Sequence, residues 1–244
     1  MTEPLYFSRA TLKSGPSMEA LKPLLLPEEE SARLQTDHRL VWSLFADDRD
    51  ARRDFLFRRQ TRKSPASRAQ FLILSKRPPS ADAPLFDVET QLFEPALAAG
   101  DRLGFSLYAN PAVTHWRIID GRKVRRRDDV VMHALKEIPR GERGSPRPDA
   151  IKKAGQAWLE RQGEQAGFEI ADAEETLEID GYDQFEIGRD DSGRGKKQKP
   201  ISVSVMTFDG FLVIKDPETF LRRLREGFGR ARAFGCGLML IRRA

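Results

Sequence analysis

The fold turns on residues 216–242, DPETFLRRLREGFGRARAFGCGLMLIR. Asp216 followed by Pro217 reads as a helix start. An aspartate accepts N–H bonds at the N-cap, and proline at the first position loses only an N–H that has no helical partner. The spacing predicts a helix from Pro217 to about Glu226, a connection rich in glycine, and a closing strand over 237–242. Working upstream, 201–208 and 211–215 read as strands, with Asp209-Gly210 as a hairpin turn between them. Two more strands are expected at 168–171 and 182–188. Helical stretches are expected near 128–137 and at 151–165, the latter centred on Trp158 and Leu159.

The first half repeats that order. Residues 4–12 (PLYFSRATL) read as an opening strand, a helix follows from Ser31 to Phe45, and 54–60 and 70–76 read as strands. Residues 91–98 read as a short helical or irregular piece, and 102–109 (RLGFSLYA) as a strand ended by Asn110-Pro111. Strand, helix, strand, strand, helix, strand is the order of a ferredoxin-like split βαβ unit. The expected fold is therefore α+β, with two tandem ferredoxin-like (RRM-like) domains at 1–110 and 111–244. The halves match in order rather than in sequence.

Composition limits the function classes. The chain has 244 residues, 39% hydrophobic and 32% charged, which suits a folded globular protein. No apolar run approaches the roughly 18 residues of a membrane span, and the N-terminus lacks a signal pattern. Cys236 is the only cysteine, so no internal disulfide forms and a reducing cytoplasm is the expected compartment. One cysteine and three histidines scattered along the chain give no metal-ligand set, so neither a metal nor another cofactor is expected.

The net charge is only +5, but it is concentrated. Residues 117–127 (RIIDGRKVRRR), 189–199 (RDDSGRGKKQK) and 222–243 together carry +14, which leaves −9 for the rest. A single run of this kind is most simply a solvated loop. Three runs on an otherwise acidic chain suit a polyanion whose phosphates they contact.

The glycine string is the strongest local signal. Gly227, Gly229, Gly235 and Gly237 bracket Arg230 and Arg232, and glycine lets a backbone take positive φ and approach a ligand closely. A plain helix-to-strand turn needs one or two glycines. The string lacks the lysine and hydroxyl residue of a P-loop, and it does not open a dinucleotide fold.

GFGRARAFGCGLMLI (227–241) resembles the glycine-rich loop of CRISPR repeat endoribonucleases, with the spelling of the CasE family of type I-E systems. HRLVWSLF (38–45), RRDFLFR (52–58), LYANP (107–111) and FDGFLVIKDP (208–217) resemble that family in the same order. The resemblance implies tandem ferredoxin-like domains and metal-independent cleavage at the base of a repeat hairpin. In that chemistry the 2′-hydroxyl attacks the adjacent phosphate and leaves a cyclic phosphate and a 5′-hydroxyl. It also implies that the product stays bound, and that the partners are CRISPR repeat RNA and other Cascade subunits, with no membrane.

The family's helix histidine corresponds to His38. Gln35 stands where members often carry a tyrosine, and an amide can bond a phosphate but cannot act as an acid. On a helical wheel, Leu34, Leu40, Val41, Leu44 and Phe45 form one apolar arc, with His38 at its edge beside Trp42. A packed boundary histidine is the plainer reading of that position alone. An imidazole there also titrates near neutrality and can accept or donate a proton.

The expected RNA contacts are Arg230, Arg232 and the four loop glycines, with Lys196, Lys197 and Lys199 flanking the cut, and Arg125 and Arg126 in the other basic run. His115, next to Trp116, is a candidate for stacking on RNA. His133 reads as a helix residue, and Cys236 as a small packed one. Two rivals are a non-catalytic RNA-hairpin-binding protein of the same fold and a DNA-binding regulator. The absence of a recognition-helix pattern counts against the second.

Overall fold

The computed structural model describes residues 4–47, 53–60, 68–188 and 200–244. Strand β1 (Tyr6–Leu12) leads into helices α1 (Pro16–Leu25) and α2 (Glu30–Trp42), the second extended by a 3₁₀ turn at Ser43–Phe45. Then come β2 (Phe55–Gln60), β3 (Gln70–Ser75) and β4 (Phe86–Leu92). These strands form one antiparallel sheet in the order β2-β3-β1-β4. That order is ferredoxin-like, with irregular chain in place of a second crossover helix.

Every residue of β3 is buried, because both sheet faces are covered. Phe55, Phe57, Phe71 and Ile73 face Leu40, Val41, Leu44 and Phe45 of α2 and its 3₁₀ turn. Leu56, Leu72 and Leu74 face the other way, onto Leu238 from the C-terminal half. Each such side chain contributes roughly 1.5–3 kcal/mol on burial, so this second layer joins the halves firmly.

The second half contains β5 (Arg102–Ala109), β6 (Ala112–Ile119), β7 (Arg122–Asp129), α3 (Val130–Ala134), α4 (Arg147–Ala166), β8 (Phe168–Ile170) and α5 (Ala173–Thr176). It closes with β9 (Glu178–Ile187), β10 (Ile201–Ile214), α6 (Pro217–Glu226) and β11 (Met239–Arg243). The order β11-β5-β10-β8 again follows the ferredoxin-like path, with β9 pairing along the first part of β10. Asp216 caps α6 through bonds from the Glu218 and Thr219 amides, and Pro217 is its first residue, as expected. No helix among the described residues is long and apolar enough to cross a membrane.

Three expectations are corrected. The strand at 102–109 pairs with β10 and β11, and β4 closes the first sheet, so the sheets part within residues 93–101 rather than at 110. Asp209-Gly210 is no hairpin turn, since β10 runs straight through it with Gly210 opposite Phe105 and no positive φ. A Cβ at Gly210 would meet the Thr176 carbonyl oxygen at 3.1 Å, so the glycine admits the C-terminal end of α5. The working Asp-Gly turn is Asp120-Gly121, with φ of 50° and 73°. Positive φ at both positions matches the twist of a two-residue hairpin, so the supposed basic loop is the β6–β7 ribbon. Helix α1, which carries Pro23, was not expected at all.

Candidate active site

His38 lies in the second half of α2, half-buried. Its ring meets Trp42 edge-on at 6.2 Å, and Trp42 meets Phe55 in the same manner at 5.2 Å. Its Nδ1 is buried and has no hydrogen-bond partner among the described residues. Burial first, then the cations Arg53 and Arg39, push the imidazole below its ordinary pKa, so the neutral form dominates near pH 7. A neutral imidazole accepts a proton readily.

Arg53 connects this histidine to a cleft of about 370 Å³ between the start of β2, α6 and the glycine-rich loop. Arg53, Lys76, Arg222, Arg225 and Arg232 line it together with Asp54 and Glu226. Both acids are engaged by other arginines, Asp54 by Arg77 at 3.0 Å and Glu226 by Arg223 at 3.6 Å. Burial, then Arg223 and Arg53, hold the Arg232 guanidinium below its usual pKa. Crowded cations whose nearby acids are engaged elsewhere make a site for an anion. In the sequence Arg53 stands only as part of RRDFLFR (52–58), and the fold brings it to His38.

The glycine loop is shaped by protein contacts. Gly227, Gly229, Gly235 and Gly237 all have positive φ, between 72° and 93°. A Cβ on Gly237 would lie 2.6 Å from the Phe228 carbonyl oxygen, and one on Gly229 would lie 2.9 Å from that of Asn110. The Arg230 amide donates to Asn110 O at 3.3 Å, and Arg232 Nη2 donates to Gly227 O at 3.0 Å. These glycines thus let the loop fold tightly, which points Arg232 into the cleft and leaves Arg230 exposed. Its 3₁₀ turn, Arg232–Phe234, packs beside α2 and β2.

Gln35, one turn before His38, donates from Nε2 to the Gly188 carbonyl oxygen at 3.2 Å. The chain therefore enters 189–199 beside α2. Lys196, Lys197 and Lys199 lie outside the described residues. Arg125 and Arg126 are exposed on opposite faces of the β6–β7 ribbon, Arg125 across from Trp116 and Arg126 across from His115. Lys123 Nζ lies 5.3 Å from the Trp116 ring centre, so this indole is partly covered by a cation. Cys236 is fully buried and its thiol is pushed up to about 12, chiefly by burial, as a packed residue should be.

One grouping runs against the sequence expectation. His115, Asp128 and His133, far apart in the chain, offer ligand atoms within 4.8 Å of one another. The Asp120-Gly121 turn was the missed signal, since it folds β6 back onto β7 and sets His115 near Asp128.

Residues 5–243 match the family described as CRISPR associated protein. The chain is 31% identical over 222 residues to the CRISPR system Cascade subunit CasE of Escherichia coli K12, covering 91% of this chain and 98% of that one. It is 31% identical over 151 residues to the CRISPR-associated endoribonuclease Cse3 of Thermus thermophilus, covering 61% and 59%. The solved structure of Thermus thermophilus Cse3 bound to an RNA representing a pre-cleavage complex superposes with a TM-score of 0.62 at 22% identity, covering 98% of this chain and 99% of that one. Escherichia coli Cas6e gives 0.60 at 24% identity, covering 98% and 100%. The tandem ferredoxin-like fold is shared with both.

Proposed function

Since the chain belongs to the CasE family of CRISPR-associated proteins, we propose that it is an endoribonuclease that cuts CRISPR precursor RNA at the base of the repeat hairpin. One observation carries this reading. Half-buried His38 has Arg53 as a charged neighbour, and Arg53 in turn lines a cleft with Arg222, Arg225 and Arg232.

In the proposed step His38 takes the proton of the 2′-hydroxyl, whose oxygen attacks the adjacent phosphorus. The bond from phosphorus to the 5′-oxygen breaks, that oxygen takes a proton from water, and the His38 imidazolium gives its proton back to solvent; the products are a 2′,3′-cyclic phosphate and a 5′-hydroxyl. Arg53 and Arg232 stabilise the extra negative charge on the phosphorane-like transition state, where such groups count most. The nucleophile belongs to the substrate, so no metal-activated water is required.

Lys196, Lys197 and Lys199 are assigned to the flanks of the cut. Arg230, Arg125 and Arg126 are assigned to phosphates of the stem, which keep the product bound. The Escherichia coli relative is by name a Cascade subunit, so other Cascade subunits are the proposed protein partners and the cytoplasm the compartment. A non-catalytic hairpin binder is the second reading. It rests on Gln35 at the position where the family often has tyrosine.

Single-turnover incubation with the cognate repeat RNA, followed by mapping of both new ends, tests the proposal. A cyclic phosphate and a 5′-hydroxyl, formed equally well in EDTA, are expected. A 5′-phosphate end or loss of cleavage in EDTA contradicts the mechanism, and tight binding without a cut selects the second reading.

A further inference from the structure

We propose that His115, Asp128 and His133 bind one divalent transition-metal ion of the zinc class at the root of the basic ribbon. His115 pairs with Arg126 across the ribbon, so Asp128, two residues further along β7, is its diagonal neighbour on the same face. His115 Nε2 lies 3.4 Å from Asp128 Oδ2. Helix α3 starts directly after β7, and its fourth residue, His133, brings Nδ1 to 3.8 Å from the same carboxylate oxygen. The two imidazoles are 4.8 Å apart, centre to centre.

Two histidines and a carboxylate, with a water in the fourth position, are a common ligand set for zinc. Bonds of about 2.0–2.2 Å in a tetrahedral site put ligand atoms roughly 3.4 Å apart, so side-chain rotation of about 1 Å closes this triangle. The three side chains are 21%, 31% and 28% exposed, which leaves room for an ion to enter and for a water to complete it.

Arg117 marks the place of the cation. Its Nε donates to His115 Nε2 at 3.0 Å, and its Nη2 donates to Asp128 Oδ2 at 3.2 Å. The guanidinium thus bridges the two atoms that would share an ion. Its side chain is 52% exposed, so it can swing out when a doubly charged ion arrives. His133 Nδ1 is buried, and Asp128 Oδ2 at 3.8 Å is too far for a full hydrogen bond but is placed to share an ion.

The scaffold is already rigid. Asp129 accepts from the Met132 amide at 2.8 Å and from the Tyr182 hydroxyl at 2.7 Å, and also from the Ser204 hydroxyl, which fixes the junction of β7 with α3. An ion there would staple the ribbon that carries Arg122, Lys123 and Arg125–Arg127 to α3, and so hold its angle to the second sheet. The site takes no part in the cleavage proposed above.

The test uses untagged protein titrated with Zn²⁺ by calorimetry and with Co²⁺ by visible absorption. One ion per chain is expected. His133→Ala should weaken binding by more than the roughly 10- to 100-fold typical of losing a mere outer-shell partner. Arg117→Ala should tighten it by removing the competing cation. Only three histidines exist, so the imidazole NMR spectrum of the wild type decides the matter even where a variant unfolds. Paramagnetic Co²⁺ should broaden the His115 and His133 rings and spare His38. No uptake, equal broadening of all three rings, or unchanged affinity in folded His133→Ala would overturn the proposal. Because no RNA is present, failure of the cleavage reading leaves this result unaffected.

Discussion

Gln35 Nε2 and the carbonyl oxygen of Gly188, 3.2 Å apart, tie the helix of His38 to the last residue before the basic segment 189–199. The bond joins residues far apart in the chain and is exposed. It acts on the placement of a loop rather than on the core.

Gln35→Ala is therefore expected to melt like the wild type and to bind the repeat hairpin nearly as well, while cutting more slowly. A net bond of about 1 kcal/mol corresponds to roughly fivefold in the fraction of molecules with the segment in place. Single-turnover rates beside a binding titration check this. An unchanged rate would detach the Gln35 bond from the reaction.

The pH dependence follows from His38. Its pKa is lowered, first by burial and then by Arg53 and Arg39. The neutral imidazole is the active base, so the rate falls as pH drops through that pKa. Arg53→Ala removes a cation, raises the pKa and moves the acid limb of the pH–rate profile to higher pH. The plateau also falls, because a phosphate contact is lost, but the position of the limb is a separate readout. A limb that stays put or moves to lower pH would remove Arg53 from the neighbourhood of His38.

Within the glycine loop, stability and RNA affinity should separate by residue. Gly237→Ala places a Cβ 2.6 Å from Phe228 O at a φ of 93°. Strain of this kind costs about 1–3 kcal/mol, and each kcal/mol lowers Tm by roughly 2–4 °C in a chain of this size. Arg230→Ala, on an exposed side chain, should leave Tm unchanged and weaken hairpin binding. Thermal melts and titrations of both variants decide it; a Gly237→Ala protein as stable as wild type would refute the packing described.

Much of this was legible in the sequence where local chemistry and tertiary packing agree. The Asp216-Pro217 start of α6 is a self-contained cap, and the core-facing residues of α2 follow the 3.6-residue period. The two Asp-Gly pairs show where legibility ended. The same dipeptide turns the chain at 120–121 and passes straight through β10 at 209–210, because Gly210 answers to the end of α5, which no local pattern records. The strand at 102–109 looked like the fourth of the first sheet, yet its pairing partners lie more than 90 residues further on. The glycines of 227–237 were visible as special, but not that their close neighbours are protein atoms. Arg53 and the cluster of His115, Asp128 and His133 arise only when strands are paired.

The central claim is that His38 moves the proton and the arginines hold the RNA. His38→Ala should fold, since alanine favours the helix and His38 lies at the edge of its apolar face. The direct measurement is single-turnover cleavage of the cognate repeat hairpin by excess His38→Ala protein, beside a titration of hairpin affinity. The account predicts a rate lower by about 10²- to 10⁴-fold with affinity nearly unchanged. Cleavage at the wild-type rate, or a loss of binding that accounts for the whole loss of rate, would contradict it.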